Sequence, residues 1–263
     1  MRPNRLRELA AAGRPIVNAW LAIPSAYSAE VMGHQGYDSV TVDLQHGMIG
    51  FDAAVPMLQA LSSTPAVPLV RVAKNDYALV MQLLDAGAYG VVCPMISTPE
   101  EARLFVSYCR YPPTGQRSFG PARGLLYGGS DYFEQANGQI LTLAMLETRE
   151  AVAHADAIIA TPGLDGIYVG PNDLCLAHGK PPSPEPVDPE MAGIIGDLAQ
   201  RARGAGRIAG IFCASREAAA RRLAQGFGMV TPGNDVGLLV RASKEALTTA
   251  RGAAASSRPG SKY

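Results

Sequence analysis

The sequence predicts an α/β chain folded as a single (β/α)8 TIM barrel, on three observations. Short β-branched runs alternate with longer Ala/Leu-rich stretches of helical period, the pattern of parallel strands joined by crossover helices. Eight such units can be counted, which favours a closed barrel over an open doubly wound sheet, and no G-x-G-x-x-G follows the first strand. The 263 residues, 48% of them hydrophobic, match the usual size of a barrel with one buried core.

The strands are expected at Pro15–Ala22, Ser39–Asp43, Val67–Val72, Gly90–Pro94, Leu141–Glu147, Gly166–Gly170, Ile208–Phe212 and Gly228–Thr231. Helices are expected between and after them, at Tyr27–His34, Phe51–Leu61, Tyr77–Ala86, Pro99–Cys109, Arg149–Ala157, Pro189–Gly204, Arg216–Gln225 and Val236–Ala253. Thr98-Pro99-Glu100-Glu101 offers a cap, a proline at the first helical position and carboxylates near the positive end of the dipole. Asn75-Asp76 and Asn234-Asp235 start two more helices in a similar way. Gly87 and Gly226 supply the residue that lets a helix stop and turn into a strand. The barrel domain is thus assigned to residues 1–252, and the small, polar, Pro/Gly-containing stretch 253–263 to a flexible tail.

Composition excludes several function classes. With 23 Lys+Arg against 23 Asp+Glu and no long basic run, no nucleic-acid partner is expected. Cys93, Cys109, Cys175 and Cys213 have neither zinc-site nor disulfide-framework spacing, so a reducing cytoplasm is the expected location. The charged N-terminus and the lack of a long apolar run predict a soluble protein with no membrane partner. Two connections exceed simple joints, Tyr111–Asn137 and Ala177–Pro189. Such segments are usually lids or disordered; the first is glycine-rich, and its Arg117, Arg123, Tyr127 and Tyr132 are candidates to line the acceptor side of a site or are simply solvated.

In barrels of this kind the active site lies at the carboxyl ends of the strands, where this chain places a set of polar residues. The second strand ends in Asp43, with Gln45 and His46 just beyond; the third ends near Arg71; the fifth ends in Glu147; and the sixth leads into Gly170-Pro171-Asn172-Asp173. Glu147 and Asp173 are expected to hold a hard divalent cation that leaves room for waters and a chelating substrate. Either carboxylate alone could instead cap a helix or pair with an arginine. Arg71 closes an apolar strand, so a carboxylate must lie beside it, either the substrate's or a neighbouring aspartate's. His46 stands three residues after Asp43, whose carboxylate could fix the imidazole tautomer of a general base. The turn at 170–173 could receive an anionic oxygen on its backbone N–H groups, or be a plain capped turn.

These residues resemble the HpcH/HpaI aldolase family, metal-dependent aldolases acting on pyruvate or related 2-oxo acids. The resemblance rests on G-Y-D-S-V-T-V-D-L-Q-H-G at 36–47, P-L-V-R-V at 68–72, Y-P-P-T-G-Q-R-S-F-G-P at 111–121, L-E-T-R-E-A-V at 146–152 and D-G-I-Y-V-G-P-N-D-L at 165–174. It implies a barrel of the phosphoenolpyruvate/pyruvate type, with His46 as proton acceptor supported by Asp43 and Arg71 binding the oxo acid. Glu147 and Asp173 would be ligands to Mg2+, Mn2+ or Co2+, and the backbone at Asn172 and Asp173 would touch the substrate carboxylate. Pro171 and Gln45 are the remaining substrate-binding candidates. Many relatives carry glutamate where this chain has Gln45 and glutamine where it has Met145. The resemblance further implies a homo-oligomer, a hexamer built as a trimer of dimers with an exchanged last helix.

The expected reaction joins the enolate of pyruvate or hydroxypyruvate to an aldehyde, or reverses that step, with a base assembly built on His46 and a metal-bound water. One alternative is citrate-like or CoA-ester condensation or cleavage on the same barrel. Another is a barrel that binds a dicarboxylate without turnover.

Overall fold

The computed structural model describes residues 1–251; the tail assigned to 253–263 lies outside the described residues. In chain order the elements are α1 (Arg5–Ala11), β1 (Ile16–Leu21), α2 (Ala26–Gly33), β2 (Ser39–Asp43), α3 (Phe51–Leu61), β3 (Val67–Arg71), α4 (Tyr77–Asp85), β4 (Gly90–Cys93), α5 (Pro99–Tyr108), α6 (Ala122–Gly128) and α7 (Tyr132–Gln139). There follow β5 (Leu141–Leu146), α8 (Arg149–Ala153), α9 (Ala155–Ile159), β6 (Gly166–Val169), α10 (Pro171–Ala177), α11 (Pro189–Gly204), β7 (Ile208–Cys213), α12 (Arg216–Ala224), β8 (Met229–Pro232) and α13 (Asp235–Arg251). The eight strands close in sequence order into one barrel, every neighbouring pair parallel, with β8 returning to β1. All eight expected strands form. No helix among the described residues is long and apolar enough to cross a membrane.

Alternation along the strands divides the core in two. Ile16, Trp20, Leu69, Leu143, Met145, Tyr168 and Met229 pack inside the barrel, whereas Leu21, Val42, Val70, Ala144, Val169 and Ile211 pack outward beneath the helices. Parity therefore decides which strand-end residues face the axis. Asp43, Arg71 and Glu147 are in step with the inward sets of their strands, and register places Asp43 directly beside Arg71. Lower in the barrel, Asn18 accepts hydroxyl bonds from Ser39 (2.7 Å) and Thr41 (3.0 Å) and donates to Thr231 (2.9 Å), which also pairs with the Tyr168 hydroxyl (2.6 Å). This satisfied network links β1, β2, β6 and β8.

The capping expectations hold at Asp76, which accepts from Leu79 N, and at Thr98, which forms a full capping box with Glu101. The helix expected at Arg149–Ala157 breaks at His154 into α8 and α9. Four helices were not expected: α1, α6, α7 and α10. Helix α1 plugs the N-terminal mouth of the barrel, with Leu6 and Leu9 joining the interior cluster and Asn4 donating to the carbonyls of Tyr89 and Gln139.

The segment 111–137 is not a lid over the strand tips. It leaves the C-terminal end of α5 and leads into the start of β5, so chain direction puts it at the mouth opposite the carboxyl ends of the strands. There Arg117, fully buried, bonds Asp85 at 2.6 Å and the Tyr132 hydroxyl at 3.1 Å, and Arg123 donates to the carbonyls of Ala86 and Leu58. Tyr127 packs edge-on against Tyr89 at 5.0 Å. These four residues are structural and do not line an acceptor side.

Candidate active site

At the carboxyl ends of the strands lies a cavity of about 240 Å3 lined by Trp20, Asp43, His46, Arg71, Met145, Glu147, Tyr168, Pro171, Asn172, Asp173, Phe212 and Asn234 among others. Of the eight strand-tip residues to which the sequence assigns catalysis, metal or substrate, seven meet there. The exception is Gln45, whose side-chain oxygen is buried without a partner and which does not line the cavity.

Asp43 organises one wall. Its carboxylate takes Arg71 in a two-pronged pair, Nε to Oδ1 at 2.8 Å and Nη2 to Oδ2 at 2.5 Å, and also accepts the Trp20 indole N–H at 3.1 Å. Burial works to raise its pKa, but Arg71 and Trp20 outweigh it and hold the carboxyl below the usual range. The carboxylate required beside Arg71 is thus Asp43. The expectation that Asp43 fixes the His46 imidazole is corrected: Oδ1 accepts the backbone N–H groups of Gln45 (3.0 Å) and His46 (3.3 Å), so it shapes the turn that presents His46. His46 itself is exposed at the cavity rim. With Nε and Nη2 engaged, Arg71 turns Nη1 toward the Met145 sulfur at 4.0 Å, and its guanidinium stacks over Trp20 at 4.8 Å.

Glu147 forms the other wall. It is 2% exposed, and Oε1 accepts the Met95 backbone N–H at 2.9 Å. Met95 carries a φ of 58°, an uncommon conformation for a residue with a side chain, which directs that N–H at the carboxylate. Oε2 lies against Gly170, where an added Cβ would come within 2.1 Å, so only glycine leaves room for the carboxylate. Burial pushes the Glu147 carboxyl up to about 7; the Met95 bond opposes this, the nearby Asp173 adds to it, and Arg71 opposes it. Asp173 sits half-buried in the first turn of α10, which Pro171 opens.

Among the described residues no group of three or more His, Cys, Asp or Glu converges as a metal site. The two carboxylates suit a hard cation that keeps water or substrate oxygens, as Mg2+ does. Their repulsion and the burial of Glu147 are the features a cation would relieve.

Residues of the site that the sequence does not single out include Trp20, Tyr168 and Phe212 on the cavity wall and Met95 behind Glu147. Trp20, the chain's one tryptophan, has the inward parity of β1, a signal that was available. Met95 left no signal, because its backbone conformation is imposed by the fold. Phe212, at the inward-facing tip of β7, completes the floor by stacking edge-on against Trp20 at 5.8 Å.

Comparison with known proteins places the whole barrel in a family. Residues 17–242 match the family model for HpcH/HpaI aldolase/citrate lyase. The chain is 41% identical over 248 residues to a hydroxypyruvate/pyruvate aldolase of Rhizorhabdus wittichii, covering 94% of this chain and 99% of the relative. It is 36% identical to a 4-hydroxy-2-oxo-heptane-1,7-dioate aldolase of Klebsiella pneumoniae, covering 92% and 91%. The crystal structure of an HpcH/HpaI aldolase/citrate lyase family protein from Burkholderia cenocepacia superposes with a TM-score of 0.89 at 30% identity, over 95% of this chain and 100% of the other. From barrel, strand tips and similarity along nearly the whole length, the conclusion is that the chain belongs to the HpcH/HpaI aldolase/citrate lyase family and is an aldolase, an enzyme of carbon–carbon bond making and breaking.

Proposed function

We propose that this aldolase takes pyruvate or hydroxypyruvate as its enolate-forming partner and a small aldehyde as the other, with a divalent cation held by Glu147 and Asp173. The observation that carries the reading is Glu147: buried, fixed through one oxygen by Met95 N–H, and next to a second carboxylate in the same cavity as Arg71 and His46. Mg2+, Mn2+ or Co2+ bound there would act as a Lewis acid on the 2-oxo acid.

The chain's own residues supply the remainder. Arg71, locked by Asp43 and Trp20, presents Nη1 to the oxo acid and counters negative charge as the C3 proton leaves. The backbone N–H groups of Asn172 and Asp173, next to buried Pro171, receive the substrate carboxylate. His46, at the open rim, accepts the C3 proton and returns one to the new alkoxide when the aldehyde is attacked. Met145 stands where many relatives carry glutamine and turns a thioether toward Arg71, leaving that side of the cavity without an amide. The relatives named for hydroxypyruvate/pyruvate and for a heptane-dioate support an oxo-acid substrate.

The test is direct. Glu147→Gln and Asp173→Asn should each lower cation affinity measured by calorimetry and cut turnover roughly 100-fold or more while the far-ultraviolet circular dichroism stays unchanged. Exchange of pyruvate methyl protons with deuterated water, followed by NMR, should need both the cation and His46. Near-normal turnover without added metal in either variant would remove the ligand assignment.

The homo-oligomer also belongs to this reading. Of α13 only Asp235 is buried, and Val236, Leu239, Val240 and Leu247 are all exposed, as a helix exchanged between subunits of a trimer of dimers would require. Light scattering should return six chains; a monomer at micromolar concentration would exclude it.

A further inference from the structure

A second cavity, of greater volume than the catalytic one, lies at the other end of the barrel, among residues that take no part in the catalysis. It measures about 690 Å3, within the range of small-molecule sites, and is bounded by α1, the C-terminal ends of α11 and α12, and the starts of β5, β7 and β8. Four arginines line it, Arg7, Arg14, Arg203 and Arg207, against one carboxylate, Asp165. That carboxylate is already engaged: Oδ1 takes Arg7 at 2.8 Å, and Oδ2 takes Arg110 at 3.3 Å and the Thr142 N–H at 2.8 Å.

The other three guanidinium groups have no acidic partner and make no side-chain hydrogen bond among the described residues. The Nε of Arg207 is fully buried and unpaired, which is costly for a charged donor unless something accepts from it. Arg203 reaches the cavity across Gly226, whose φ of 95° and missing side chain clear its path: an added Cβ would stand 2.0 Å from Nη1. Three helices end here, and their carbonyls could be what the positive charge balances. Backbone N–H groups at Ala12, Ala205 and Gln225 already bond the last carbonyls of those helices, so the arginines are not needed as caps.

We propose that this mouth is a binding site for a small multivalent anion, of the phosphate or polycarboxylate class, held by Arg14, Arg203 and Arg207. Planar guanidinium forks match both kinds of oxyanion, and three positive charges around one concavity, those of Arg14 and Arg203 exposed and that of Arg207 half-buried, favour a ligand with more than one negative charge.

Isothermal titration calorimetry and thermal melting of the cation-loaded enzyme with inorganic phosphate, and separately with tricarballylate, test the site and tell the two classes apart. At least one anion should bind with a single site per chain and raise the melting temperature. The Arg203→Ser/Arg207→Ser double variant should weaken that binding roughly tenfold or more and leave aldol turnover unchanged. Arg71→Met, in the catalytic cavity, should leave it intact. If the double variant does not fold, exposed Arg14→Ser carries the same comparison. The proposal is overturned if neither anion binds at millimolar concentration, if binding survives loss of the arginines, or if it vanishes in Arg71→Met.

Discussion

Glu147 is pulled two ways. The fold buries it beside Asp173, which disfavours its charge, and at the same time fixes Oε1 on the Met95 N–H, which favours it. The balance raises its pKa from 4.5 to about 7, and the sign of the consequence follows. A carboxyl whose folded pKa is raised contributes stability that is present below about 4.5 and lost as pH rises through about 7. Melting of the cation-free protein should therefore fall as pH rises from 5 to 8 more steeply than melting of Glu147→Gln. Adding Mg2+ should restore the wild type most at the upper end of that range, because ligand binding to the folded state stabilises it and the proton competes with the cation. Parallel melting curves for the two proteins would show that Glu147 is not the group responsible. Asp43 is the opposite case, a buried carboxylate whose charge is secured by Arg71 and Trp20. Three residues separate Asp43 from His46 along the chain, but in the barrel the lateral neighbour on β3 is the partner of Asp43, so register outweighs spacing.

Among the elements, turns at the strand tips do the positioning. Asp235 opens α13 and accepts from the N–H groups of Ala22 (2.9 Å) and Ile23 (3.1 Å), tying the last helix to the end of β1 just above Trp20. Asp235→Ala would leave two part-buried donors unsatisfied and should lower unfolding free energy by about 1–3 kcal/mol, read from urea denaturation. It should also loosen the Trp20 wall, visible as a change in tryptophan fluorescence; an unchanged midpoint would show that the clip carries no stability. Helix caps were legible in the letters at Asp76 and Thr98, because capping is decided within four residues. The misplaced lid had a different origin. Glycine content and length mark 111–137 as unusual, but only its place between a helix and the following strand assigns it to the N-terminal mouth.

For the molecule as a whole, barrel closure creates two mouths with separate tasks. The N-terminal mouth holds α1, which fills the barrel end and borders the arginine-lined cavity beside it; its cap residue Asn4 is buried, donates to Tyr89 O (3.0 Å) and Gln139 O (2.8 Å), and accepts from Leu6 N (3.2 Å). Asn4→Ala should cost about 1–3 kcal/mol in unfolding free energy with little change in KM, since the catalytic cavity lies at the far end. A large rise in KM with unchanged stability would instead show that α1 communicates with the strand tips. Asn4 followed by Leu6 and Leu9 carries the local signature of a helix start, a side-chain cap ahead of apolar residues at helical spacing.

The sequence by itself determined the eight strands, the barrel, and the residues at the strand tips, because hydrophobic period and strand-end position are local properties carried in the order of letters. Tertiary structure alone decided that Asp43 serves Arg71, that Gln45 is not among the residues lining the cavity, that Met95 adopts its left-handed backbone to hold Glu147, and that arginines from two distant segments share one cavity at the opposite mouth. Those outcomes depend on which side chains meet across the barrel, and separation along the chain does not encode that distance.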